Sequence, residues 1–147
     1  MKIREILHRK GHEVVTIEPH RALSEALRLL VNQGIGSLVV TEDAVSDPVQ
    51  GILTERDILR LVDRDPGVLA RESVGEVMTR DVIVAEADDD VAYLMEVMTR
   101  NRIRHLPVMA EGRLIGMVSM GDVVNTLRKD VEAENRYLRD YVQGMVR

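Results

Sequence analysis

At 147 residues the chain has room for one compact domain or two small halves sharing a core, and no apolar run approaches the roughly 20 residues that cross a bilayer. It contains no cysteine, which removes disulfides and thiolate catalysis, and its four histidines form no HExxH or comparable ligand pair, so no metal site is expected. A net charge of -5, with three tyrosines and no Phe or Trp, argues against contact with nucleic acid through phosphate neutralisation or base stacking.

The N-terminal segment MKIREILHRK is charged throughout and lacks the apolar stretch of a secretory signal, so a cytoplasmic protein is expected, with no membrane association. Residues 1–13 read as a lead-in with a helix near Lys2 to Leu7. Val14 to Ile17 is a short strand rich in β-branched residues, and Leu23, Ala26, Leu27, Leu30 and Val31 then recur at helical spacing. Gly34 stands where a C-terminal helix cap belongs. Two strands follow, Ser37 to Thr41 and Gln50 to Leu53, with Ser46-Asp47-Pro48 as turn residues between them. A short helix starts at Thr54. Residues 71–81 read as a linker with a short helix that Ser73 and Glu76 open as a capping box.

The same order then repeats. Val82 to Ala85 is a strand, Val91, Leu94, Met95 and Met98 mark a helix, and Asn101 takes the cap position. His105 to Met109 and Leu114 to Val118 are strands joined by a turn at Glu111-Gly112, and a short helix starts at Ser119. VVTIEPHRALSEALRLLVNQGIGSLVV, from Val14, lies on VIVAEADDDVAYLMEVMTRNRIRHLPV, from Val82, without a gap. After a connection three residues longer in the first copy, GILTERDIL lies on GMVSMGDVV. The chain therefore divides into a lead-in (1–13), a first repeat (14–70), the linker (71–81), a second repeat (82–128) and a helical extension (129–147). Each repeat is β-α-β-β-α, a mixed α/β (α+β) unit too small to cover both faces of its sheet alone. Two units packed sheet to sheet would share a core with pseudo-two-fold symmetry. Val123 to Val142 reads as a longer, charged C-terminal helix, in which Leu127, Val131, Leu138 and Tyr141 fall on a less polar face that Glu134 interrupts.

Each repeat carries a hydroxyl-x-x-aspartate, Thr54 with Asp57 and Ser119 with Asp122. Taken singly, each explains itself as a helix N-cap with a reciprocating acid. Both, however, sit where a strand enters a helix, three residues after a glycine (Gly51, Gly116) that permits close approach of another group. A helix N-terminus offers N–H groups to a phosphate, and a carboxylate accepts from vicinal ribose hydroxyls, so capping and nucleotide binding are compatible.

With GILTERDIL, VMTRDV, RIRHLPV and the duplicated Gly-h-h-Ser/Thr-x-x-Asp pattern (h, hydrophobic), the chain from about Val14 to Arg128 resembles a pair of CBS domains, a Bateman module, of the small stand-alone bacterial type. The resemblance implies a non-catalytic regulatory module that binds adenosyl ligands in clefts between the repeats and senses energy or redox state. AMP or NAD(H) is the favoured ligand, with ATP and ADP as further candidates. It implies one cleft combining Thr54, Asp57 and Arg56 with Thr79, Ile83, Arg102, Ile103, Arg104 and His105. The other combines Ser119 and Asp122 with Lys10, Val15, Ile35, Gly36 and Ser37. Aliphatic side chains would sandwich the purine and arginines would reach phosphate. Because copy one has Gly34, Gly36 and Ser37 where copy two has Arg102, Arg104 and His105, the Thr54/Asp57 cleft is expected to take the more phosphate-rich ligand. A homodimer is expected, with an unknown protein target acting in trans. The competing reading is a structural homodimerisation module with vestigial ligand sites. Catalysis is not expected, since the sequence has neither a thiol nor a P-loop.

Overall fold

The computed structural model describes residues 1–43 and 49–144; the predicted turn at Ser46-Asp47-Pro48 and the last three residues of the predicted extension lie outside them. The elements run α1 (Ile3–Lys10), β1 (Thr16–Ile17), α2 (Leu23–Gln33), β2 (Ser37–Val40), β3 (Gly51–Thr54), α3 (Glu55–Arg64), α4 (Val68–Arg71) and α5 (Val74–Val77), then β4 (Ala85–Glu86), α6 (Val91–Asn101), β5 (His105–Ala110), β6 (Arg113–Ser119) and α7 (Met120–Val142). Two three-stranded sheets result, β1-β2-β3 and β4-β5-β6, each with its first pair parallel and its second antiparallel. The duplication read from the sequence is thus a duplication of topology.

Local chemistry sets the element boundaries, with some corrections. α2 ends on Gly34 in the left-handed region (φ 64°), as its sequence position predicts. In the second copy the cap is Arg102 (φ 54°), not Asn101, which is the last helical residue and returns its amide to Val97 O at 2.8 Å. The β5–β6 turn has positive φ at both Glu111 (52°) and Gly112 (75°), the backbone a two-residue hairpin needs to match strand twist. The first strands of both repeats are shorter than predicted. A short α4 also precedes the linker helix, where no element was expected. The short helix expected at Ser119 and the charged C-terminal helix are one continuous α7 of 23 residues, since no Gly or Pro interrupts it after Gly121.

The apolar interior forms two clusters rather than one shared core, and each is completed by a helix from the opposite half of the chain. Ile3, Ile6 and Leu7 of α1 precede the first repeat but pack with Leu94, Met98, Leu106 and Val118 of the second. Val74 and Met78 precede the second repeat but pack with Leu23, Leu30, Leu38 and Leu53 of the first. Backbone bonds repeat the exchange. Val91 N–H donates to Met1 O (2.9 Å) as Leu23 N–H donates to Glu72 O (3.0 Å). The two glycines shared by the repeats serve this clasp, for a Cβ on Gly116 would lie 2.6 Å from Leu7 Cδ2 and one on Gly51 would collide with the Met78 thioether. All four residues of β2 are buried; since neighbours in a strand point to opposite faces, both faces of that sheet are covered.

Candidate functional site

Both hydroxyl-x-x-aspartate motifs form complete capping boxes. Thr54 Oγ1 accepts from Asp57 N–H (3.2 Å) and Asp57 Oδ2 accepts from Thr54 N–H (3.0 Å). Ser119 Oγ and Asp122 reproduce this at 3.1 and 2.9 Å. Antiparallel register places Ser37 opposite Thr54 and His105 opposite Ser119, so each motif sits beside the entry to the middle strand of its own sheet. The first-turn N–H of Glu55 is taken by Gly36 O (3.0 Å) and that of Met120 by Arg104 O (2.8 Å). The next residues, Arg56 and Gly121, are second helical positions, whose N–H groups have no acceptor within the helix.

A cavity of about 960 Å³ opens between the repeats at these two helix starts. Of the predicted first-cleft residues, Thr54, Arg56, Asp57, Thr79, Arg102, Ile103, Arg104 and His105 line it. Thr79 is fixed there by a two-way backbone pairing with Ile52, each N–H to the other's O at 3.0 Å. Ile83 is not on this wall and is 37% exposed. The cavity also takes in residues that the motifs alone do not single out: Ile52, Glu55 and Arg60 on one side, and Val124, Asn125 and Arg128 of α7 on the other. Helical spacing could have found one of them, because Arg60 is one turn from the predicted Arg56.

The second predicted cleft is arranged differently. Lys10, Ser119 and Asp122 do meet, but as an ion pair, with Lys10 Nζ donating to Asp122 Oδ2 (2.7 Å) and to Met117 O (2.6 Å). Ser119 itself faces the large cavity. Gly36 lines that cavity too and, with Ile35, a second groove of about 590 Å³ beside Glu55 and His105. Ser37 is buried in β2 and Val15 packs on the first repeat's core.

Charge follows this geometry. Burial alone would raise the Asp122 carboxyl, but the Lys10 ammonium and the Ser119 N–H more than offset it and hold the group below its usual range. His105 is pushed down, first by burial, with Arg104 and Lys10 adding to it against Glu55 and Asp122, so its imidazole is neutral at neutral pH. It lies so close over Gly36 that a Cβ there would be 3.2 Å from Nε2. A depressed folded-state pKa means that the unfolded chain binds the proton first. Stability should therefore fall below about pH 6.5 as the unfolded-state histidine protonates, and fall again below about pH 4 as the Asp122 pair is lost. Urea unfolding across pH checks this; His105→Gln should remove the upper step, and equal parent stability at pH 7.5 and 5.5 would contradict it.

Arg102 has a side chain in a backbone region where glycine costs least. Its counterpart Gly34 makes the same cap. Arg102→Gly should stabilise the fold by about 1 kcal/mol, the cost of a left-handed non-glycine residue, while weakening binding of a phosphorylated ligand. Melting and titration of the same variant test both signs; a variant that loses stability would show that Arg102 packs in a way its backbone does not reveal.

Two tandem β-α-β-β-α units, each clasping the other's lead-in helix and enclosing a cleft at paired capping boxes, define a twofold-repeated module. The family model of the CBS domain matches residues 3–64 and 74–129, and the chain belongs to that family as a CBS domain pair. It is 35% identical over 122 residues to the mitochondrial CBS domain-containing protein CBSX3 of Arabidopsis thaliana, a match covering 82% of this chain and 59% of that protein. The chain thus spans only part of the length of such curated relatives. Among solved structures, a CBS-domain protein from Agrobacterium tumefaciens is 39% identical with a TM-score of 0.80, covering 86% of this chain and 98% of that one. The fold is also that of the CBS domain pair of protein MJ0100, solved with 5′-methylthioadenosine and S-adenosyl-L-methionine, at 23% identity and a TM-score of 0.76, covering 88% of this chain and 98% of that one. Among the described residues, no helix is long and apolar enough to cross a membrane.

Proposed function

We propose that the chain is a non-catalytic sensor that binds an adenosyl ligand in the cleft lined by Thr54 and Asp57. The observation that carries this is the Thr54/Asp57 capping box on the wall of a cavity between the repeats, with aliphatic Ile52 and Ile103 and a set of arginines around it. Asp57 spends Oδ2 on the cap, which leaves Oδ1 for ribose hydroxyls. Ile52 and Ile103 offer apolar surface to a purine, and the arginines offer forked donors to phosphate. The solved complex of the MJ0100 pair supports an adenosyl ligand as the class. AMP, NAD(H), ADP and ATP are the candidates for this chain. The Ser119/Asp122 cleft is the weaker of the two, because the Lys10 ammonium, 2.7 Å from Oδ2, already offsets the charge of its carboxylate.

Binding signals only if two conformations differ in affinity for the ligand, and the cleft between two clasped halves suits that requirement. The output passes to a protein target in trans or through a homodimer. Exposed Val31 and Leu59 beside the apolar groove of α2 and α3 favour the homodimer, and they also favour the second reading, a dimerisation module whose ligand sites are vestigial. Mass spectrometry of small molecules released from freshly purified protein, followed by calorimetric titration with adenosine nucleotides, tests the proposal. An adenosyl compound at stoichiometric occupancy supports it. No binding of any adenosyl compound at millimolar concentration, in a protein that sizes as a dimer, would leave the dimerisation reading.

A further inference from the structure

We propose that Arg60 of α3 and Arg128 of α7 make this cleft selective for the length of a phosphate chain, so that its ligand is a nucleoside polyphosphate rather than a nucleoside or a monophosphate. The inference rests on the reading above for the nucleoside end and adds an assignment for the other end.

Five arginines line the cavity, at positions 56, 60, 102, 104 and 128, against two carboxylates, Glu55 and Asp57. The chain as a whole has five more acidic than basic residues, so this wall runs against its overall charge. Arg56, Arg60, Arg102 and Arg104 make no side-chain ion pair or hydrogen bond among the described residues, so their charge on this wall has no direct acidic partner. Like charges gathered on one cavity wall repel one another and focus a positive potential that an anion relieves.

The distribution of these groups sets the kind of anion. Arg56 stands next to Asp57, where the first phosphate on a ribose would fall. Arg60 is a turn farther along α3, and Arg128 is nine residues beyond Ser119 on α7, roughly 13 Å at the helical rise. A single phosphate spans a small fraction of that distance and carries a charge of about -1.5 to -2 at neutral pH. It satisfies the near arginines and leaves the far ones unanswered. A chain of phosphates continues the charge toward Arg60 and Arg128, between two helix starts whose Arg56 and Gly121 N–H groups lack helical acceptors. Arg128 at present donates to Asn125 Oδ1 (3.0 Å) and Glu132 (3.5 Å), exposed contacts of little strength that a phosphate replaces easily. The same wall disfavours a cationic sulfonium ligand, which would bring a positive charge among five others.

Calorimetric titration of the full chain with adenosine, AMP, ADP, ATP and inorganic tripolyphosphate is the test, repeated for Arg60→Gln and Arg128→Gln, with circular dichroism to establish that both variants are folded. The expected result is an affinity rising from AMP to ADP to ATP, with ATP at least tenfold tighter than AMP. Each variant should weaken ATP by about tenfold and change AMP by less than twofold. Equal affinity for AMP and ATP, or variants that weaken both alike, would overturn the inference while leaving an adenosyl site in place. Tripolyphosphate binding that the variants abolish, without any adenosine or AMP binding, would support the polyphosphate end and remove the nucleoside reading instead.

Discussion

Asp57→Ala will weaken adenosyl-nucleotide binding by about 2–3 kcal/mol, roughly 30- to 150-fold in Kd, the worth of one or two hydrogen bonds to a charged acceptor. The carboxylate is placed by its own helix: Oδ2 accepts the Thr54 N–H at 3.0 Å, which fixes the rotamer, and Asp57 lines the cavity together with Thr54, Thr79 and Ile103. The substitution also removes the acid of a capping box, so the variant should lose about 1 kcal/mol of stability and remain folded. Asp57→Asn separates the two effects, because an amide oxygen can still accept the cap bond but lacks the charge. Asp122→Ala should change binding far less, since Lys10 already engages that carboxylate at 2.7 Å. Calorimetry on the three variants decides the matter. If Asp57→Ala binds as the parent does, the cleft has been assigned to the wrong carboxylate.

Leu7→Ala will destabilise the protein by about 2–5 kcal/mol, the range for truncating a buried leucine. Leu7 is fully buried although it lies in the first ten residues of the chain, and its methyls fill the space over Gly116 in β6. A lost side chain there leaves a void that the β6 backbone cannot fill, since a glycine has nothing to extend into it. Restoring volume from the other side with Gly116→Ala should rescue part of the loss in Leu7→Ala while harming the parent, where the added methyl would meet Leu7 at 2.6 Å. Urea unfolding of the double-mutant cycle measures this coupling. Additive effects would mean that the helix and the strand do not touch in solution.

The two predictions show what could and could not be read along the chain. Gly34, Glu111-Gly112 and both capping boxes were legible because each is a contest between neighbouring residues for backbone geometry. The strands at residues 14–17 and 82–85 were read too long, because β-branched composition does not record where a partner strand ends. Asn101 was read as a cap because its residue type favours that backbone, yet Arg102 adopts it. The glycines of GILT and GMVS were correctly read as close-approach positions, but the approaching groups are Met78 and Leu7.

Sequence alone therefore determined the duplicated unit, its element order, the two hydroxyl-x-x-aspartate helix starts and the family they belong to. Those features rest on spacings of three, four and two residues, which the covalent chain itself imposes. Only the tertiary structure decided that each lead-in helix completes the other repeat's core, that Lys10 pairs with Asp122 while no cation pairs with Asp57 among the described residues, and that Arg60 and Arg128 reach one cavity. Such pairings join residues up to a hundred or more positions apart. They depend on how two whole surfaces fit, and no local period along the chain encodes that fit.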